Sequence, residues 1–241
     1  MHVKAGASTA GPDMSGPSNV ADARRALEDA VQTLRANGGL VKSSHANLSV
    51  RLQDGRLAMT RRSTVADLEA HDPNALCVVD LSGAILEGDV DPAMHEVIAM
   101  HARLYHARSD VGAVIHTHAP HLTAFAIAHK PLELVHEPML RVGLGRAVPV
   151  VPWAPRGSDA SVDGIVDAAK ADPGIKAVLL ANHGVLAFAR TAAQAARVLG
   201  TLEEAASLAI MAAALGGAKA LPAEAAHMVE ERRTRFSPGP T

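Results

Sequence analysis

The chain has 241 residues, of which 48% are hydrophobic, 20% charged and only 2% aromatic, with a formal net charge of −2. That is apolar material for a full-sized core built from Leu, Val, Ile and Ala rather than from rings. The scattered Lys and Arg give no electrostatic basis for nucleic-acid binding. The longest apolar runs are expected to fall short of the roughly 18–20 residues of a membrane span. The first residues, MHVKAGASTAGPDMSGPSNV, lack the apolar stretch of a secretory signal. Their Gly, Ser, Pro and Ala content predicts a disordered tail over 1–18. A single cysteine, Cys77, excludes an internal disulfide and reads, within ALCVVDL, as a buried and inert thiol. The cytoplasm is the expected location.

Order is expected from Asn19, with one domain over 19–220 and a C-terminal tail over 221–241. Val20, Ala23, Leu27, Val31 and Leu34 recur at helical spacing and stop at Asn37-Gly38-Gly39. NLSVRLQDGRLAMT alternates on both sides of Asp54-Gly55, which is the pattern of a β-hairpin. LCVVDLSGAILEG (76–88) reads as a second hairpin. A helix is expected over 91–108, with Pro92 near its first turn. VGAVIHTH (111–118) is a strand and PHLTAFAIAH a helix. RAVPVVPW (146–153) is extended and broken by Pro. A helix ends before Pro173-Gly174, IKAVLLANHG (175–184) is a buried strand, and VLAFA is another. A long helix covers 191–217. Hairpins mixed with helices predict one α/β domain with a largely antiparallel or mixed sheet.

Three histidines carry the chemistry. His116 and His118 are two apart at the end of a strand, so both face one side. His183 comes after a second buried strand, in Asn182-His183-Gly184. Three imidazoles at strand ends make a three-ligand metal site with an open position. The plainer alternative is a backbone-bonded His116, a solvated His118 and a simple Asn-His-Gly turn. Glu96, on the helix before the His116 strand, is a further ligand or a proton-transfer base if it reaches the site. No Gly-rich nucleotide loop or nucleophile elbow is present.

HEVIAMHARLYHARSDVGAVIHTHAP (95–120) and AVLLANHGVLAFA (177–189), with ANLSVR (46–51) as a weaker match, resemble the class II aldolase/adducin-head family. The resemblance spans about residues 20–215. It implies a three-layer α/β/α sandwich around a mainly antiparallel sheet, and a homotetramer with the active site near a subunit interface. It also implies a divalent metal, Zn2+ first and Mn2+ or Co2+ next, held by His116, His118, His183 and Glu96, with Glu96 as acid/base. Departures are visible. Glu96 precedes His101 by five residues where the family usually has four. The hydroxyl- and glycine-rich phosphate loops are replaced by Ser44-His45-Ala46-Asn47, by Arg61-Arg62-Ser63 and by Met94-His95. Guanidinium pairs well with carboxylate, so Asn47, Arg61, Arg62 and Ser63 are expected to hold a small, non-phosphorylated, carboxylate-bearing substrate. The expected activity is metal-dependent carbon–carbon cleavage of the aldolase type, with decarboxylation on the same fold as the alternative. A non-catalytic adducin-like scaffold, which has no use for three converging imidazoles, and a two-His-one-carboxylate iron oxygenase rank below these.

Overall fold

The computed structural model describes residues 16–236. Helix α1 (Val20–Ala36) starts where the Asn19 side chain accepts from the Asp22 amide, and it buries Ala23, Leu27, Ala30, Val31 and Leu34 along one face. It stops at Asn37, where Gly38 takes φ +77°. The first hairpin is β1 (Ala46–Arg51) and β2 (Leu57–Thr60). The second is β3 (Leu76–Val79) and β4 (Ile85–Glu87), turned by Asp80, whose carboxylate accepts from the Ser82 and Ala84 amides. Between the hairpins lies a short helix, α2 (Ala66–Glu69), that no periodicity in the sequence announces. A 3₁₀ turn capped by Asp91 then opens into α3 (His95–Ala107), the helix expected over 91–108.

The chain next alternates between sheet and helix: β5 (Ala113–Thr117), α4 (Pro120–Ile127), α5 (Glu137–Arg141), β6 (Val150–Val151), α6 (Asp159–Ala171), β7 (Ala177–Leu180), β8 (Gly184–Ala189) and α7 (Ala192–Ala212). Among the described residues the strands form one sheet in the order β4-β3-β2-β1-β5-β8-β7-β6. Every pairing is antiparallel except β6 with β7. Helices cover both faces. Leu48, Val50, Ile115, Leu179 and Val185 pack towards α1, α4 and α7. Leu57, Met59, Val114, Val178, Leu186 and Phe188 pack towards α3 and α6. This is the three-layer α/β/α sandwich that the family resemblance implies, with the central strands buried on both faces.

Two registers bring the histidine strands into line. Asn47 pairs with His116 across β1 and β5, and Thr117 pairs with Val185 across β5 and β8. The three histidines therefore sit at one end of the central strands. Cys77 is buried, and burial pushes its thiol up to about 11, as fits an inert core residue.

The polypeptide departs from expectation near its C-terminal end. Residues 221–241 were expected to be a tail, yet α8 (Ala225–Phe236) forms there. Its first residues carry no continuous apolar stripe, so the period that betrays α1 is missing. Most of the expected disordered segment, 1–15, lies outside the described residues. The Pro17 carbonyl accepts from the Gln53 amide at 3.1 Å, against the first hairpin. The helix from Ala192 to Leu215 is also long and apolar enough to cross a membrane by length and composition. Its Ala195, Val198, Leu199, Leu202 and Ala206 are buried in the domain core, the position of a core helix.

Candidate active site

His116, His118 and His183 converge. One nitrogen from each lies within 4.8 Å of the other two. Ring centroids are 5.1 Å apart for His116 and His118, 4.7 Å for His116 and His183, and 5.0 Å for His118 and His183. The strands bring them there for local reasons. Thr117, between the first two, points the other way and donates to the Gly39 carbonyl at 2.6 Å, which pins the strand end to the turn after α1. His183 lies in the tight connection between β7 and β8. Asn182 takes φ +57° there, a conformation asparagine tolerates, and its amide donates to the Ala126 carbonyl.

The His116 Nδ1 lies 3.0 Å from the Val185 carbonyl. A carbonyl only accepts, so Nδ1 carries the proton and Nε2 keeps a lone pair for the cluster. The His118 Nε2 is buried with no partner among the described residues. An orphaned imidazole nitrogen beside two others is costly unless something bridges them. Burial first, then the neighbouring His183 and His118, holds His116 well below the usual histidine range. Burial and His183 lower His118 to about 4, and burial together with Arg156 lowers His183. All three are therefore neutral near pH 7, the form that ligates a metal. The donor set fits a divalent ion with an open position.

The cluster forms one wall of a cavity of about 450 Å³. Asn47, Ser63 and Glu96 also line it, as expected from the sequence. Asn47 is buried, and its Oδ1 lies 2.7 Å from the His101 Nε2. Glu96 is half-exposed and its Oε2 lies 3.2 Å from the Arg156 Nε, so its carboxylate is not gathered into the three-histidine cluster. Arg61 and Arg62 do not line the cavity. The Arg61 guanidinium reaches Asp67 at 3.0 Å and Asp72 at 3.1 Å, and Arg62 reaches Asp67 at 3.2 Å. Ser44, from the other departed loop, donates to Glu69 at 3.1 Å and also meets Arg35.

Sequence reasoning misses several lining residues. His45 stacks over His118 with centroids 6.4 Å apart. Arg156, Asn182 and an apolar wall of Val97, Met100, Val162 and Ile165 complete the space. Arg156 lies in a Pro- and Gly-flanked loop before α6, a stretch legible as a loop but not as one that folds over the histidines.

Comparison with known proteins agrees with this fold. The family model described as "Class II Aldolase and Adducin N-terminal domain" matches residues 26–210. A 5-deoxy-D-ribulose 1-phosphate aldolase from Bacillus thuringiensis serovar kurstaki is 30% identical over 190 residues, covering 77% of this chain and 84% of that protein. A 3-oxo-tetronate 4-phosphate decarboxylase from Pectobacterium atrosepticum is 34% identical over 178 residues, covering 70% and 76%. The solved structure of an L-fuculose 1-phosphate aldolase superposes with a TM-score of 0.76 at 27% identity, covering 92% of this chain and 99% of that one. With the family model spanning most of the chain and the strand order bringing the three histidines together, the chain belongs to the class II aldolase and adducin family, as one of its lyases.

Proposed function

We propose that this protein is a divalent-metal-dependent carbon–carbon lyase of the aldolase type, acting on a small hydroxy-carbonyl substrate that is not phosphorylated and carries a carboxylate. The observation that carries the reading is the convergence of His116, His118 and His183 with the His118 Nε2 left unpartnered. These three residues would hold the ion, zinc before manganese or cobalt. When bound, it supplies Lewis-acid polarisation of a substrate carbonyl.

The protein's own groups do the rest. The Asn47 side chain offers its amide nitrogen to the cavity, because its oxygen is taken by His101. Ser63 adds a hydroxyl at the same wall. Glu96 moves the proton at its carboxylate once it is released from Arg156. Several relatives are named for phosphate esters. Support for a non-phosphorylated substrate here comes from the committed groups. Ser44 is tied to Glu69 and Arg61 to two aspartates, so neither of these groups is free to cradle a phosphate. Arg61 and Arg62 serve only as the frame of the turn that presents Ser63.

Decarboxylation is the second reading, and one observation favours it. Aldol cleavage needs a proton removed from the departing hydroxyl and another returned to carbon, whereas loss of CO₂ needs only the return. Glu96 held by Arg156 outside the histidine cluster suits the less demanding reaction. We extend the reading to a cytoplasmic homotetramer with the cavity near a subunit interface. Trp153, a large apolar side chain 63% exposed at the cavity rim, supports it.

Elemental analysis of the wild type beside His183→Ala tests the metal. Stoichiometric zinc, manganese or cobalt in the wild type and its loss in the variant are expected. No metal in either after incubation with divalent ions sinks the lyase reading. Detection of aldehyde or of CO₂ from hydroxy-keto acids separates the two reactions.

A further inference from the structure

Arg156 is the one Lys or Arg among the described residues lining the cavity. Its setting is fixed: Nη2 donates to the Ala93 carbonyl at 2.6 Å, while Nε faces Glu96 at 3.2 Å. Gly157 comes next at φ +76°, and a Cβ there would fall 2.5 Å from the Glu96 Cγ, so the loop lies directly on the glutamate. The guanidinium is also near enough to the histidines to help keep His118 and His183 neutral.

A half-exposed ion pair adds little to stability. Fold stability therefore gives a weak reason to set an arginine in a wall otherwise made of Val97, Met100, Val162 and Ile165. Ligand recognition gives a stronger one. A guanidinium presents its N–H groups in a planar fork that matches a carboxylate. A phosphoryl dianion wants more donors than one fork, and at the nearby start of α6 Ser158 already caps the helix and Asp159 adds an acid, which leaves the Ser161 hydroxyl as that turn's side-chain donor in the cavity wall.

We propose that Arg156 is the substrate-carboxylate receptor of this cavity, and that the Glu96 carboxylate occupies its place until substrate enters. The inference rests on the lyase reading for its substrate class, but the binding it invokes does not require the metal. Substrate arrival then does two things in one exchange. It anchors the acid end on Arg156 beside the apolar wall, and it frees Glu96 to handle the proton.

Calorimetric titration of three probes tests this, each on zinc-treated and on chelator-treated protein. Hydroxypyruvate carries the carboxylate, dihydroxyacetone is its neutral counterpart, and dihydroxyacetone phosphate carries a phosphoryl group instead. In Arg156→Gln the Kd for hydroxypyruvate is expected to rise about tenfold, with that for dihydroxyacetone unchanged and the zinc content of the wild type kept. Arg156→Lys recovers part of the loss, and Glu96→Gln tightens hydroxypyruvate by removing its competitor. A hydroxypyruvate Kd unaltered in Arg156→Gln, no hydroxypyruvate binding to the wild type, or an equal or larger loss for dihydroxyacetone phosphate would overturn the proposal. Charge-dependent binding that persists in protein unable to take up zinc would leave it standing while the metal reading falls.

Discussion

His101 on α3 and Asn47 on β1 are locked together, with Nε2 of one 2.7 Å from Oδ1 of the other and neither exposed to bulk solvent. The oxygen can only accept, so Nε2 carries the proton and Nδ1 accepts from the Ser49 hydroxyl at 2.7 Å. Tyr105 completes the group by donating to the Ser49 carbonyl at 2.9 Å. A buried network spanning helix and strand thus decides which end of the Asn47 amide the cavity sees. His101→Leu leaves the buried Asn47 Oδ1 without its partner, at roughly 1–3 kcal/mol, while the Ser49 hydroxyl keeps the Tyr105 hydroxyl at 2.9 Å. A loss of about 2 kcal/mol in urea unfolding is expected, together with a raised KM, because the Asn47 amide is free to turn.

The same histidine sets a pH dependence. Burial lowers His101 to about 3 and His118 to about 4, against about 6.5 in an unfolded chain. Between those values the unfolded state binds protons that the folded state refuses, so stability rises with pH. It is fully present above about pH 6.5 and is lost as the pH falls, through about 4 for His118 and about 3 for His101. Each such histidine contributes a slope of up to about 1.4 kcal/mol per pH unit. Urea midpoints of chelator-treated protein from pH 7.5 to 4.5 should show this decline, and His101→Gln should make it shallower. A flat profile would show that these rings are not buried neutral.

The strands and the histidine triad were legible because each residue carried its own local sign. Alternation marked β1 and β2, and the two-residue spacing of His116 and His118 marked a shared face. His183 was legible as a strand end because an Asn-His-Gly step comes after a run of apolar residues. The rest was decided by tertiary packing. Nothing local distinguishes Arg61, which turns to Asp67 and Asp72, from Arg156, which turns into the cavity. Glu96 shows the same limit: its place on α3 was predictable, while its pairing with Arg156 depended on a loop sixty residues on. Helix α8 stayed hidden for a different reason, its lack of a continuous apolar stripe.

Behind the histidine strand, Glu203 of α7 is only 4% exposed. It accepts from the His121 and Leu122 amides at 3.0 Å each and meets the His121 Nδ1 at 2.7 Å, so it caps α4 just after the His118 turn. Glu203→Ala would strand these donors and is expected to lower stability by about 3 kcal/mol. Glu203→Gln, which keeps an acceptor, should lose distinctly less. Equal losses in urea unfolding would mean that packing, rather than the cap, holds Glu203 in place.

At Gly184 the two strand ends of the site approach closely. A Cβ added there would lie 2.6 Å from the Thr117 carbonyl oxygen and 2.8 Å from the His118 Cδ2. The first contact is backbone in the middle of the sheet, between strands that pair from Thr117–Val185 onward. It cannot yield without opening the β5–β8 ladder, and the second pushes the His118 ring aside. Glycine is therefore required at this position by close approach rather than by an unusual φ. Gly184→Ala should cost a few kcal/mol, roughly the overpacking range of 1–3. It should weaken zinc uptake far more than a comparable strain placed elsewhere, because it separates His183 from His118 directly. Zinc titration against an equally destabilised core variant such as Leu48→Ala checks this. Equal zinc affinity in the two would show that the triad tolerates the displacement, and that the closeness of the strands serves the sheet alone.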